Sequence, residues 1–252
     1  MRKLILIIFI INGLTNASYS QTADELVKQG DLLEKQLKEE EAYQKFKEAI
    51  KLNPVHVHAL VRCSELASRI GRRQATKEKQ MDFYQAAKIY AERALRVNPR
   101  DSEANVVMSL AYARMSLLKS GKEKVEYVRE IKNYADRALI SNPNNFKALF
   151  VIARWHFEVS NLNAMEKAAV KVFYGGLQKN SLDSAIHYYE KVKAISPNFI
   201  LNYLELAKAY NRNNKREKAI EQLNYMLKLP NTAADDPTVK AEARQLLKNW
   251  KD

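Results

Sequence analysis

Cysteine, glycine and proline are all scarce in this chain of 252 residues, which contains one cysteine, six glycines and six prolines. With Cys63 alone, the chain cannot build an internal disulfide framework or a cysteine-rich zinc or iron–sulfur site. Sandwiches, barrels and Rossmann folds need many turns, and those turns use glycine and proline. The composition therefore predicts an all-α protein of long helices joined by short connections.

Charge, in contrast, is plentiful and unevenly divided between the two signs. Lys and Arg number 42, Asp and Glu number 29, and the formal net charge is +13. With 46% hydrophobic and 28% charged residues, the chain has the composition of a soluble globular protein. A basic surplus attracts anionic partners. Nucleic-acid binding requires a clustered basic patch as well as a high pI, and only the pI is present, so we predict no nucleic-acid partner.

The first twenty residues have the pattern of a secretory signal peptide. A basic pair at positions 2 and 3 precedes an apolar run over residues 4–11, and small and polar residues lead to Ser20. Cleavage after Ser20 leaves Gln21 as the mature N-terminus, and cleavage after Ala17 is the alternative. An uncleaved anchor is disfavoured because so short a run, at about 1.5 Å per residue, cannot cross ~30 Å of hydrocarbon. We therefore expect a periplasmic or secreted protein with no transmembrane span after cleavage.

A repeated segment runs through the rest of the chain. Helices end at proline because proline lacks the N–H that a helix needs and restricts the residue before it. Matching stretches end in this way at residues 49–54, 94–99, 138–143 and 192–197, and the successive prolines, counted to Pro230, are 45, 44, 54 and 33 residues apart. Against a period of about 34 residues, the first two intervals indicate lengthened helices. The third indicates an extra helix and a turn within residues 161–180.

The first and last copies resemble the tetratricopeptide repeat (TPR), a helix–turn–helix unit of about 34 residues. The matching positions are Leu26, Gly30, Leu33, Ala42, Phe46, Ala49 and Pro54 in the first copy and Tyr203, Leu206, Ala207, Tyr210, Ala219, Leu223 and Met226 in the last. Small residues let paired helices approach, and large ones fill the space between pairs. The resemblance implies an all-α, right-handed α-solenoid of about five helix pairs. We expect one domain over residues 21–252, ending in a capping helix at about 236–250.

A closer resemblance, to the regulator of microtubule dynamics family, runs from about Tyr90 to the C-terminus. The residues that carry it are Arg154-Trp155-His156-Phe157-Glu158-Val159-Ser160-Asn161-Leu162, Glu166-Lys167, Ala185-Ile186, Tyr189, Ile195-Ser196-Pro197, Ala207-Lys208-Ala209-Tyr210 and Leu227-Lys228-Leu229-Pro230. The resemblance implies a TPR-like helical domain that engages partners without catalysis. The family's eukaryotic members are linked to microtubules and to organelle membranes.

The sequence shows no catalytic or metal-binding pattern. Cys63 occupies a repeat position usually filled by leucine, which favours a packed core thiol. His56 and His58 are two residues apart and point to different faces of a helix, and His156 occupies an aromatic packing position. Gly175-Gly176 lacks the strand-then-helix context of a phosphate loop and is interpreted as a turn. We therefore predict no enzyme activity, no cofactor and no metal.

Basic residues recur at groove-facing positions of the first helix of each pair, if the helices follow the geometry of the repeat. These residues are Arg69, Arg114, Lys147, Arg154, Lys208 and Arg212. Basic side chains on a concave surface focus a positive potential that attracts carboxylates. The sequence therefore predicts a non-catalytic exported scaffold that binds a protein or peptide, an acidic one by preference, in its groove. The alternative for these residues is a set of ordinary solvated charges.

A second function stays open on the sequence alone. The inserted segment 161–180 combines apolar residues such as Met165 and Phe173 with Lys167 and Lys171. These residue types favour a pocket, closed by the insertion, that carries a hydrophobic or anionic small molecule such as a lipid. The sequence leaves the identity of the partner and the oligomeric state open.

Overall fold

The computed structural model describes residues 21–179 and 181–251, and these residues form twelve α-helices and no strand. The helices are α1 (Ala23–Lys35), α2 (Glu39–Leu52), α3 (Val57–Arg72), α4 (Lys77–Val97), α5 (Ser102–Ser116), α6 (Gly121–Ser141), α7 (Phe146–Ser160), α8 (Ala164–Tyr174), α9 (Leu182–Ile195), α10 (Ile200–Arg212), α11 (Arg216–Lys228) and α12 (Asp236–Lys251). In this part of the chain, no helix combines the length and the hydropathy that crossing a membrane requires. The predicted signal peptide, residues 1–20, lies outside the described residues.

Asparagine followed by proline ends helices α2, α4 and α6 in the same way. Asn53, Asn98 and Asn142 have extended backbone, with ψ of 91° to 94°, because the following proline disfavours the helical conformation. The side-chain Oδ1 of each accepts a hydrogen bond from the backbone N–H two residues further on, at 3.1–3.3 Å. This local turn directs the chain from one helix pair into the next.

The helices pack in successive pairs, α1 with α2, α3 with α4, α5 with α6, α7 with α9 and α10 with α11. Close approach within a pair depends on small residues, since a Cβ on Gly30 would lie only 2.7 Å from the ring of Phe46. Ala42, Ala207 and Ala219 are fully buried. Five pairs in the described chain, followed by α12 against α10 and α11, form an α-solenoid. The predicted fold class is therefore confirmed.

The middle repeats are longer because their second helices are longer. Helices α4 and α6 contain 21 residues each, against 14 in α2 and 13 in α11. The longest interval contains α8, which begins at a capping box of Asn163 and Glu166. It ends at Gly175 and Gly176, whose φ values of 73° and 79° lie in the left-handed region that favours glycine. The insertion is therefore a separate short helix and not an extension of α7.

Helices α3, α5, α7 and α10 form a shared wall along the solenoid. They contact each other in succession, α3 with α5, α5 with α7 and α7 with α10. Eleven of the 16 residues of α3 are buried, against four of the 21 residues of its partner α4. The first helix of each pair therefore supplies the core, and its remaining face supplies the surface on which a groove can form.

Candidate partner-binding groove

A cavity of about 400 Å³ lies against the shared wall. It is lined by residues of α3, α5, α7 and α10, by the connection between α9 and α10, and by the loop before α12 and the start of that helix. The apolar part of the lining includes Leu110, Phe146, Phe150, Phe199, Leu201 and Val239. Charged side chains of both signs also line it, basic ones from α3, α5 and α7 and acidic ones from α3 and from Asp235 and Asp236, so the cavity combines apolar walls with polar groups, as ligand sites commonly do.

An ion pair between distant parts of the chain borders this cavity. Arg72, at the end of α3, pairs with Asp235, and Arg73 lies 3.6 Å from the same carboxylate. The neighbouring Asp236 accepts hydrogen bonds from two backbone N–H groups of its own loop, at 2.6 and 2.8 Å, which fixes that loop. The solenoid is thus curved enough to bring its second pair against the segment that follows its fifth. Sequence reasoning missed this contact, because the partners are far apart in the chain.

Four of the six predicted binding residues form ion pairs inside the groove, and two of them share Glu65. Arg69 and Lys147 pair with this carboxylate at 2.6 and 2.8 Å, and Arg62 pairs with it at 2.6 Å. Glu65 is only 5% exposed. Burial alone would raise its pKa, but Lys147, Arg69 and Arg62 together hold the pKa of Glu65 well below its ordinary value. An ionised Glu65 is therefore shared by three cations and offsets part of their charge.

A second buried carboxylate, Glu205, holds the next two predicted residues. It is 4% exposed and lies 3.6 Å from Arg154 and 3.1 Å from Lys208. Lys208 also pairs with Glu242 of α12, at 2.8 Å. These pairs connect α7, α10 and α12, so Arg154 and Lys208 stabilise the packing of these three helices.

Arg212, the last of the six, is held by α7. It donates a hydrogen bond to the backbone carbonyl of Phe157 at 2.9 Å, and its guanidinium lies 4.6 Å from the centre of the Phe157 ring. Of the six, the cavity is lined by Arg69, Arg114 and Lys147 and not by Arg154, Lys208 or Arg212. Partner binding by these residues stays a prediction, and the structure assigns most of them contacts within the protein.

Arg114 differs from the other five. It lines the cavity from α5, and its side chain makes no hydrogen bond or ion pair with any residue that the structure describes. Burial, with a further contribution from nearby Arg72, lowers the pKa of Arg114 to about 10. The side chain is still cationic at neutral pH. Asp235 lines the same cavity and attracts this charge from outside ion-pair distance, while its carboxylate is paired with Arg72. Arg114 therefore places on the cavity wall a positive charge that forms no ion pair with a described residue.

Ser68 adds a second unsatisfied polar group to the cavity lining. The residue is 4% exposed, and its Oγ has no hydrogen-bond partner in the described chain. A buried hydroxyl without a partner costs about 1–3 kcal/mol. Ser68 and Arg114 are thus two polar residues of the cavity lining whose side chains have no hydrogen-bond partner among the described residues. Sequence reasoning missed Ser68, because a single serine on an apolar helix carries no distinguishing signal.

The described part of the insertion does not border this cavity. Among residues 161–179, none lines it, and a pocket closed by the insertion stays a prediction. Helix α8 packs instead against α6, and Arg129 of α6 donates a hydrogen bond to the carbonyl of Gly176 at 3.0 Å. The reason is the length of α6, which as a second helix offers a surface away from the shared wall.

The cysteine and the histidines have packing or surface contacts. Cys63 is fully buried, and burial raises the pKa of its thiol to about 12. His56 and His58 lie 3.1 and 2.9 Å from carboxylates of α1, and His156 is buried and stacked on a tyrosine ring. Within the described ranges, no group of three or more His, Cys, Asp or Glu side chains is arranged to hold a metal ion.

Five helix pairs, small residues at their contacts and a cavity on the first helices define a TPR-like α-solenoid, a class of scaffold that presents an extended concave surface. A solved structure of a thermophilic TPR protein from Thermus thermophilus has this fold. It matches with a TM-score of 0.67 at 16% sequence identity, covering 89% of this chain and 100% of that chain. At such an identity the likeness shows the fold alone.

The chain belongs to the family described as regulator of microtubule dynamics protein 1-3, whose family model matches residues 20–251. Regulator of microtubule dynamics protein 2 of Homo sapiens is 23% identical over 177 residues, which are 70% of this chain and 43% of the human protein. Regulator of microtubule dynamics protein 1 of Bos taurus is 23% identical over 235 residues, 91% of this chain and 72% of the bovine protein. The chain spans less than half the length of the human relative. The predicted family resemblance is confirmed.

Proposed function

We propose that this protein is a non-catalytic, exported scaffold that binds an acidic protein or peptide in its concave groove. One observation carries the proposal: Arg114 places a positive charge on the wall of an apolar cavity, and no described residue pairs with it. A partly buried charge without an ion-pair partner is less favourable than a paired one. A carboxylate of the ligand would supply that partner, and the TPR-like fold supports a protein as its source. Export rests on the signal pattern of residues 1–20.

The anionic contact is assigned to Arg114 because the other cations of the groove are already compensated. Each of the four ion-paired residues described above contacts Glu65 or Glu205 and at least one further carboxylate, so an acidic group would compete with existing ion pairs at those cations. A charge-assisted hydrogen bond to Arg114 contributes about 1.5–3 kcal/mol. Apolar side chains of the same ligand would bury themselves against Phe146 and Phe150.

Arg114→Gln tests this assignment, because it removes the charge and keeps a polar side chain of moderate length. The matched control is Arg216→Gln, which removes the same charge from an exposed position at the start of α11. Both variants should keep the helical circular dichroism of the wild type. Partner recovered by cross-linking in the native cells should fall tenfold or more with Arg114→Gln and remain with Arg216→Gln. Equal loss from both variants, or no loss from Arg114→Gln, would contradict the proposal.

A carrier of an apolar, anionic small molecule is the second candidate, and the cavity itself favours it. A volume of about 400 Å³ with mainly apolar walls lies within the range of small-molecule sites. Native mass spectrometry of protein purified from its source separates the two functions. A retained ligand mass that disappears with Arg114→Gln would support the carrier. A protein without a ligand mass, together with a partner captured through Arg114, would support the scaffold.

A further inference from the structure

Helix α8 exposes three large apolar side chains within eleven residues. Met165, Val172 and Phe173 are 82%, 76% and 74% exposed. At about 100° per residue, these three side chains and the intervening Ala168 and Ala169 fall within about 140° of the helix circumference. An apolar face of this kind on a soluble protein marks an interaction site.

Positive charge occupies the opposite, polar side of the helix. Lys167 and Lys171 are exposed and lie one turn apart, about 160° and 120° around the helix from Met165. Lys179 follows shortly after the helix and is also exposed. The one acidic residue of α8, Glu166, is engaged in the capping box at the start of the helix. Helix α8 is therefore amphipathic, with an apolar face and a basic polar face.

The way α8 is attached leaves its apolar face outward. The helix packs against α6, and the hydrogen bond from Arg129 to the carbonyl of Gly176 ties its end to the same helix. Arg129 and the glycine turn thus hold α8 at the side of the solenoid, away from the cavity on the shared wall.

We propose that α8 docks on the surface of an anionic lipid bilayer, with Met165, Val172 and Phe173 inserted at the interface and Lys167 and Lys171 among the headgroups. Charge complementarity favours an anionic bilayer as the surface that α8 binds. A second copy of the chain would bring the same lysines and a net charge of +13 against this face. Three side chains are also few for a stable protein interface, which buries about 1,600 Å². An amphipathic helix with a basic polar face is suited to an anionic bilayer surface, where each lysine strengthens binding to the bilayer about fivefold.

Flotation of the full chain with phosphatidylcholine vesicles, with and without phosphatidylglycerol, tests the proposal. Every variant carries the same first twenty residues, so differences between variants report on α8. The triple variant Met165→Ser, Val172→Ser, Phe173→Ser should lower binding to the anionic vesicles about tenfold or more. Its matched control replaces three exposed apolar residues elsewhere, Val55→Ser, Leu117→Ser and Ile140→Ser, and should bind like the wild type.

A second set of variants tests the contribution of the lysines. Lys167→Gln with Lys171→Gln should weaken binding to anionic vesicles by about 25-fold and leave the weaker binding to neutral vesicles unchanged. The control pair is Lys215→Gln with Arg216→Gln, two exposed basic residues at the start of α11. Equal losses in the α8 and control variants would overturn the proposal, as would a wild type that ignores phosphatidylglycerol. Sedimentation that shows a dimer lost only in the triple variant would assign the face to a second copy and also overturn it.

Discussion

Glu65→Gln should destabilise the protein strongly, although it replaces one oxygen with an NH₂ group. Arg62, Arg69 and Lys147 bind this carboxylate at 2.6–2.8 Å and join α3 to α7. Removing one partner of a buried ion pair costs about 3–5 kcal/mol. Other carboxylates near these cations remain in the variant, since Glu39 lies 3.0 Å from Arg69 and Glu103 lies 3.2 Å from Lys147. We therefore expect the lower end of this range, a loss of about 3 kcal/mol in the free energy of unfolding. At about 2–4 °C per kcal/mol, the Tm should fall by roughly 6–12 °C.

Thermal and urea unfolding followed by circular dichroism measure this effect. The matched control is Glu158→Gln, because Glu158 is 56% exposed and lies 3.6 Å from Arg154, so its loss should cost less than about 1 kcal/mol. The pKa of Glu65 is held below its ordinary 4.5, so the wild-type advantage is present above pH 4.5 and is lost as pH falls through the folded-state pKa. Equal Tm values for the two variants, or a stability difference that stays constant below pH 4.5, would refute the reasoning.

Three further predictions concern packing, reactivity and processing. Ala207→Leu should destabilise the protein by about 1–3 kcal/mol, because Ala207 is fully buried in the cluster that α10 shares with α11. The control is Ala168→Leu, at an exposed site on α8. If thermal unfolding gives Ala207→Leu a Tm no lower than that of Ala168→Leu, the repeat register is wrong. Cys63 should react with a thiol reagent only after unfolding, because its thiol is buried and its pKa is raised to about 12; rapid labelling of the native protein would contradict this. The mature N-terminus should be Gln21, and N-terminal sequencing that finds Met1 on membrane-bound protein would contradict export.

The helices and their pairing could be predicted because the determining signals are local. Asn53-Pro54 and its later counterparts stop a helix through the geometry of two adjacent residues. Gly30 and Phe46 meet because they occupy matching positions of two helices joined by a short turn. The same periodicity selected six basic residues, of which Arg69, Arg114 and Lys147 line the cavity and Arg154, Lys208 and Arg212 do not. The periodicity could not predict the position of the inserted helix, because no local signal in residues 161–180 indicates which neighbouring helix they contact.

By itself, then, the sequence determined the repeat and the order of the helix pairs, since both follow from helical periodicity within one or two neighbouring helices. Only the tertiary structure decided which of the basic residues carry an uncompensated charge. Lys147 pairs with Glu65, 82 residues away, while Arg114 faces the cavity without such a partner. The ion pair between Arg72 and Asp235, which brings the second helix pair against the segment after the fifth, was likewise decided only by the tertiary structure. Ion pairs form only when atoms come within about 4 Å, and the curvature that brings them together is the sum of small rotations over several repeats.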